Sequence, residues 1–196
     1  MKKTLITILC TVLVCSCVMG ATLAFIMDKT ETITNTFTIG SIDIDLTETT
    51  GTSYKMVPGA TIAKDPKVTV KNGSEACWLF IKVEKSTNFA DFMTYAMAEG
   101  WTQLKDANDI AIDGVYYRQV AATTADTPFA VLDGNKVTVK SDVTNAMAAA
   151  LTTDTYPTLK FTAYAVQLTD GTTEFTPAAA WTQAQAAAIY NAPTAG

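Results

Sequence analysis

The 196-residue chain contains no histidine. That absence removes Ser-His-Asp and Cys-His catalysis, the paired-histidine zinc helix and most other zinc sites together. No glycine-rich phosphate loop and no dinucleotide fingerprint occurs either. Cysteine is nearly as scarce: Cys10, Cys15 and Cys17 sit in one apolar run, and only Cys77 follows. A chain that loses this run therefore has no partner for an intramolecular disulfide. Cys77 lies on the apolar face of a predicted strand with no histidine to activate it, so it reads as a small buried hydrophobe. Positive charge is also in deficit, with 14 basic residues against 19 acidic ones. Without a basic face to neutralise phosphates, nucleic acid is not an expected partner.

Charge of either sign is missing between Lys3 and Asp28. Two lysines, an apolar stretch and then small residues form the pattern of a secretory signal peptide. Thr22-Leu23-Ala24 places small or tolerated residues for cleavage between Ala24 and Phe25 by a signal peptidase, so residues 1–24 are read as the signal peptide. An uncut run is long enough to span a bilayer, which keeps an N-terminal anchor open. Ser16-Cys17 after Val14 partly resembles a lipobox, although the apolar run continues well past Cys17. The remainder, 25–196, suits one sizeable core and is read as a single domain.

That remainder alternates. Ile33, Phe37 and Ile39 interleave with threonines at the period of a half-buried strand; after Gly40 the phase slips and Ile42, Ile44 and Leu46 become the inward set. A one-residue slip at glycine suggests a bulge or a strand crossing between sheets. Val57-Pro58-Gly59 is a turn signal, and Asn72-Gly73 predicts a hairpin joining "KVTVK" to "CWLFIKVEK". In the latter, Cys77, Leu79, Ile81 and Val83 share one face, while Trp78 and Phe80 begin the other. Phe89, Phe92, Met93, Ala96 and Met97 fall at helical spacing, with Gly100 as a stop. Further strands are expected in "GVYYRQVA" and "FAVLDGNKVTVKS", the second broken at Asp133-Gly134. A short helix carrying Val143, Met147, Ala150 and Leu151 follows. "PTLKFTAYAVQL" is a long strand with Leu159, Phe161, Ala163 and Ala165 on one face. Thr176-Pro177 then opens an Ala-rich helix with Trp181, Ala184, Ala188 and Ile189 on one stripe. The expected fold is mainly β: an antiparallel sandwich with short inserted helices and a C-terminal helix.

Several residue groups invite functional readings. Asp43, Asp45 and Glu48 are read as one strand face with calcium-binding chemistry, though without the spacing or glycine of an EF-hand; a solvated face explains them as well. Asn72-Gly73-Ser74 matches a glycosylation sequon but is accounted for by its turn. Trp78, Trp101 and Trp181 suggest a sugar platform or, since each lies on a separate element, core packing. The segment 25–40 is a Thr-rich, β-competent arm. Such an arm either pairs within its own sheet or adds to the sheet edge of another copy, and the second arrangement is head-to-tail and grows a filament.

The stretches "ATLAFIMDKTETITNTFTIGSIDIDLTE", "MVPGATIAKDPKVTVKNGSEACWLFIKVE" and "FTAYAVQ" together resemble the TasA/camelysin group of secreted Gram-positive proteins. The resemblance implies a signal peptide cut by the specialised peptidase SipW and a jelly-roll-like sandwich at the cell surface or in the biofilm matrix. It implies fibres built by inserting an N-terminal strand into the next subunit, with other matrix proteins as possible partners. Carried onto this chain, the self-assembly strand holds Phe25, Ile26, Ile33, Phe37 and Ile39. Camelysin relatives are described as proteases, but with no histidine and no zinc motif here, no enzyme activity, metal or cofactor is expected. The competing reading is an envelope-anchored, non-polymerising sandwich that binds a glycan or a host protein.

Overall fold

A computed structural model describes residues 42–51 and 54–190. The arm, the cleavage site and the phase slip at Gly40 lie outside the described residues. Ten strands follow one another: β1 (Ile44–Thr47), β2 (Thr61–Ala63), β3 (Lys67–Val70), β4 (Cys77–Lys85), β5 (Met93–Thr94), β6 (Thr102–Lys105), β7 (Ala111–Val120), β8 (Thr127–Ala130), β9 (Lys136–Val139) and β10 (Leu159–Gln167). Among the described residues three α-helices punctuate them: α1 (Phe89–Phe92), α2 (Asn145–Ala149) and α3 (Pro177–Tyr190). A four-stranded sheet has the order β10-β4-β7-β6, and two three-stranded sheets run β1-β3-β8 and β2-β9-β5. Every named pair is antiparallel. The chain is thus mainly β with short helices, as the alternation predicts.

The period-2 pattern of β4 fixes the layers. Cys77, Leu79, Ile81 and Val83 point one way and join Val68 and Val70 of β3 in a core between the four-stranded sheet and β1-β3-β8. Phe80 points the other way and meets Ala180, Trp181 and Ala184 of α3, with Leu104 and Val115 completing that second core. Burying each large side chain stabilises the fold by roughly 1.5–3 kcal/mol. A third cluster of Phe92, Val139 and Val143 takes in Met147 and Leu151 around α2. The helix starts follow their caps: Thr144 Oγ1 accepts from Met147 N, and Thr176 Oγ1 accepts from Ala179 N at 3.3 Å just ahead of Pro177. Ala188 and Ile189 continue α3, but their side chains lie outside those described. Among the described residues no helix is long and apolar enough to cross a membrane.

Two expectations fail for tertiary reasons. Helical spacing over 89–97 yields only the single turn α1, because Met93 turns extended (φ −140°, ψ 155°) and pairs with Val139 of β9. Sheet pairing outcompetes a short apolar periodicity. The Asn72-Gly73 turn also exists, with Gly73 at φ +81° and Ser74 N donating to Lys71 O, yet it makes no hairpin. β3 pairs with β1 and β8, whereas β4 pairs with β10 and β7, so the turn carries the chain from one sheet to the other. By contrast, Pro58 and Gly59 (φ +77°) form the expected turn, closed by Ala60 N donating to Val57 O.

Candidate functional site

β10 is an edge strand, paired with β4 along its full length from Leu159↔Lys85 to Gln167↔Cys77. Residues opposite one another share a face, so Phe161, Ala163 and Ala165 stand beside Val83, Ile81 and Leu79. The burial changes abruptly across that one step. Val83, Ile81 and Leu79 are at most 3 % exposed, while Phe161, Ala163 and Ala165 are only partly buried. β1 lies against β10 from the facing sheet, and its inward residues Ile44 and Leu46, with Ile42 ahead of them, are likewise half-covered. Among the described residues no strand pairs with the second edge of β10 or with the outer edge of β1. This margin therefore combines backbone donors and acceptors with a row of apolar side chains, two of them alanines that leave room beside them.

The margin is held in place by polar contacts at the end of β1. Asp65 accepts hydrogen bonds from Thr49 N at 2.9 Å, Thr49 Oγ1 at 2.6 Å and Thr50 N at 3.0 Å. These bonds, the Thr49 hydroxyl's first, hold its carboxyl well below the usual carboxylate range. Lys64 pairs with Glu48 at 2.6 Å and places its ammonium 5.5 Å from the Tyr54 ring centroid and 5.8 Å from that of Phe161. One end of the apolar row is thus capped by a cation on the Phe161 ring.

Of the assembly and cleavage residues read from the sequence, Ala24, Phe25, Ile26, Ile33, Phe37 and Ile39 all lie outside the described residues. The acidic group is not one face: β1 ends at Thr47, so Glu48 leaves the strand for Lys64, while Asp45 is within 4.0 Å of Lys71. In the sequon, Ser74 is 2 % exposed, its hydroxyl accepting from Asp43 N and donating to Asp43 O. The tryptophans pack inward. Trp101 donates to Ala130 O at 2.8 Å and Trp78 to Phe175 O at 2.8 Å, while Trp181 is buried against Phe80 and Tyr164. Cys77 is fully buried, and burial pushes its thiol up to about 11. The openness of β10 escaped the sequence reading, because alternation names the inward face of a strand and not its place in the sheet.

Residues 1–92 match the family model for camelysin metallo-endopeptidases, a family that includes TasA-like proteins. No curated protein and no solved structure matches the chain. The match takes in the segment 25–40 and β1 and stops at the end of α1, leaving β10 beyond it. A metallo-endopeptidase implies a metal, and the described residues do not fit one. They contain no group of three His, Cys, Asp or Glu placed to hold an ion, Cys77 is sealed in the core, and Glu48 is engaged by Lys64.

Proposed function

We propose that this chain, camelysin-like across residues 1–92, is an exported surface or matrix protein that assembles through its own N-terminal arm. The observation that carries this reading is the half-covered apolar margin at β10, whose second edge no described strand fills. An extended segment adding there gains main-chain hydrogen bonds along the edge and sets its register through alternate side chains. The segment 25–40 has the required alternation, in Ile33, Phe37 and Ile39, and precedes β1 in the sequence. Cleavage after Ala24 frees it. Supplied to a neighbour, the arm joins two different surfaces of one subunit, so the assembly is open and grows as a fibre. No catalytic step and no disulfide is required.

Negative-stain microscopy of residues 25–196 beside a version starting at Gly40 tests this. Filaments from the longer protein alone support it. Filaments in neither, across salt, pH and calcium, overturn it in favour of an anchored binding module; filaments in both retain the fibre but remove the arm.

A further inference from the structure

Arg118 is the only arginine in the chain; every other basic residue is lysine. It sits on β7 opposite Leu79 of β4, facing the sandwich core next to Phe129 of β8, two strands from β10. Its guanidinium carbon lies 4.0 Å from the Phe129 ring centroid and 5.4 Å from that of Trp101. The terminal nitrogens lie over Gly100: a Cβ built there would stand 2.9 Å from Nη2 and 3.3 Å from Nη1. Gly100 adopts φ +87°, a conformation glycine takes without penalty, and its missing side chain lets the guanidinium pack against the backbone there.

This cation lacks what its neighbours have. Every ion pair among the described residues is made by a lysine. Arg118 Nε is buried without a hydrogen-bond partner, and burial with no compensating charge pulls the guanidinium pKa down. The two aromatic rings offset part of the lost hydration. They supply no hydrogen-bond acceptor, and with Nε sealed the donors left to a ligand are Nη1 and Nη2. Two parallel donors in a rigid fork match the two oxygens of a carboxylate. A single positive charge balances one monoanion, and the chain's net charge of −5 disfavours a more highly charged guest.

We propose that Arg118, held between Trp101 and Phe129 over Gly100, is a receptor for one carboxylate bound end-on to its Nη1/Nη2 edge. The carboxylate comes from a small organic acid or from an acidic side chain of a second copy of this acid-rich chain. The site does not involve β10, which lies two strands away across β4.

The lone arginine makes the test direct, because the folded, 15N-labelled protein has one Arg Nε–H resonance. Trp101 is a second reporter, its indole N–H fixed by Ala130 O. Sodium acetate is titrated against sodium chloride at equal ionic strength. Saturable movement of both resonances in acetate, with a midpoint on the order of 10 mM for so small a contact, and only a weak unsaturated drift in chloride, supports the receptor. A shift that grows with protein concentration and is reversed by acetate assigns the carboxylate to a second copy; its absence alongside saturable acetate binding assigns it to a small acid. In R118K, the Trp101 indole should lose at least most of its acetate response while the rest of the spectrum is kept. Identical behaviour in acetate and chloride, or an undiminished Trp101 response in R118K, overturns the proposal. Should R118K not fold, the wild-type titration decides alone.

Discussion

Replacing Trp181 by alanine measures how firmly α3 covers the outer face of the four-stranded sheet. Trp181 is 4 % exposed, with its ring centroid 5.4 Å from Phe80 and 5.2 Å from Tyr164 at 88°, an edge-on contact. Tyr164 belongs to β10 and Phe80 to β4, so one side chain ties the helix to both strands. Trp→Ala in a core costs about 3–5 kcal/mol, of which the two aromatic contacts account for roughly 0.5–1.5 kcal/mol each. Against a total stability of about 5–15 kcal/mol this is a large share, and a protein in the middle of that range stays folded in buffer. With a urea slope of about 2 kcal/mol/M, the unfolding midpoint should fall by about 2 M. Q185A, on the exposed side of the same helix, should leave it within about 0.3 M. A W181A shift no larger than that of Q185A would show that α3 does not dock on the sheet and would refute the second core.

Other perturbations test the fold and its charges. Cys77 should resist thiol reagents in the native protein at pH 8 and react at the rate of unfolding, since burial pushes its thiol up to about 11; rapid native labelling would place it outside the core. The same raised value means its share of stability is intact below about pH 8.5, the ordinary thiol value, and is lost as pH climbs through 11. Acid acts in the opposite sense. Asp65 is held low by Thr49, Asp106 by Ile110 N, Asp126 by Asn72 N and Asp170 by Thr173 N, so their stabilisation is present above the ordinary value of 3.8 and disappears as pH falls through the lower native values. The urea midpoint should therefore vary little between about pH 7 and 5 and drop below about pH 4, more shallowly in D65N; an unchanged profile in D65N would contradict the Thr49–Asp65 clasp. Gly114 has φ +68°, and a Cβ there would lie 2.2 Å from Val83 O, whereas Gly171 at φ +94° has open space. G114A should be less stable than G171A by about 2 kcal/mol or more in matched urea melts, and equal losses would dispute the close approach of β7 to β4.

Much of the fold was legible because half-buried strands announce themselves by period. The alternation in "CWLFIKV" identified both core faces of β4, and Thr176-Pro177 marked the start of α3 through local chemistry alone. Long-range choices were hidden. Nothing local to Met93 says that Val139, 46 residues on, will capture it as a strand and end α1 after one turn. Nothing local to Asn72-Gly73 says that the strands on either side will choose different partners. The candidate margin was legible by halves: Phe161, Ala163 and Ala165 were assigned their shared face, but their half-exposure follows from β10 being outermost. Arg118 carried one signal in the sequence, its singularity among lysines, and its ring partners Trp101 and Phe129 come from elsewhere in the chain.

The most direct test of assembly is amide hydrogen exchange on the protein starting at Gly40, with and without a synthetic peptide of residues 25–40. The account predicts slowed exchange at alternate amides of Leu159–Gln167, on the edge away from β4, and no such protection from a peptide in which Phe37 and Ile39 are replaced by aspartate. A wild-type peptide that leaves β10 unprotected, or protects only another strand, would contradict the account.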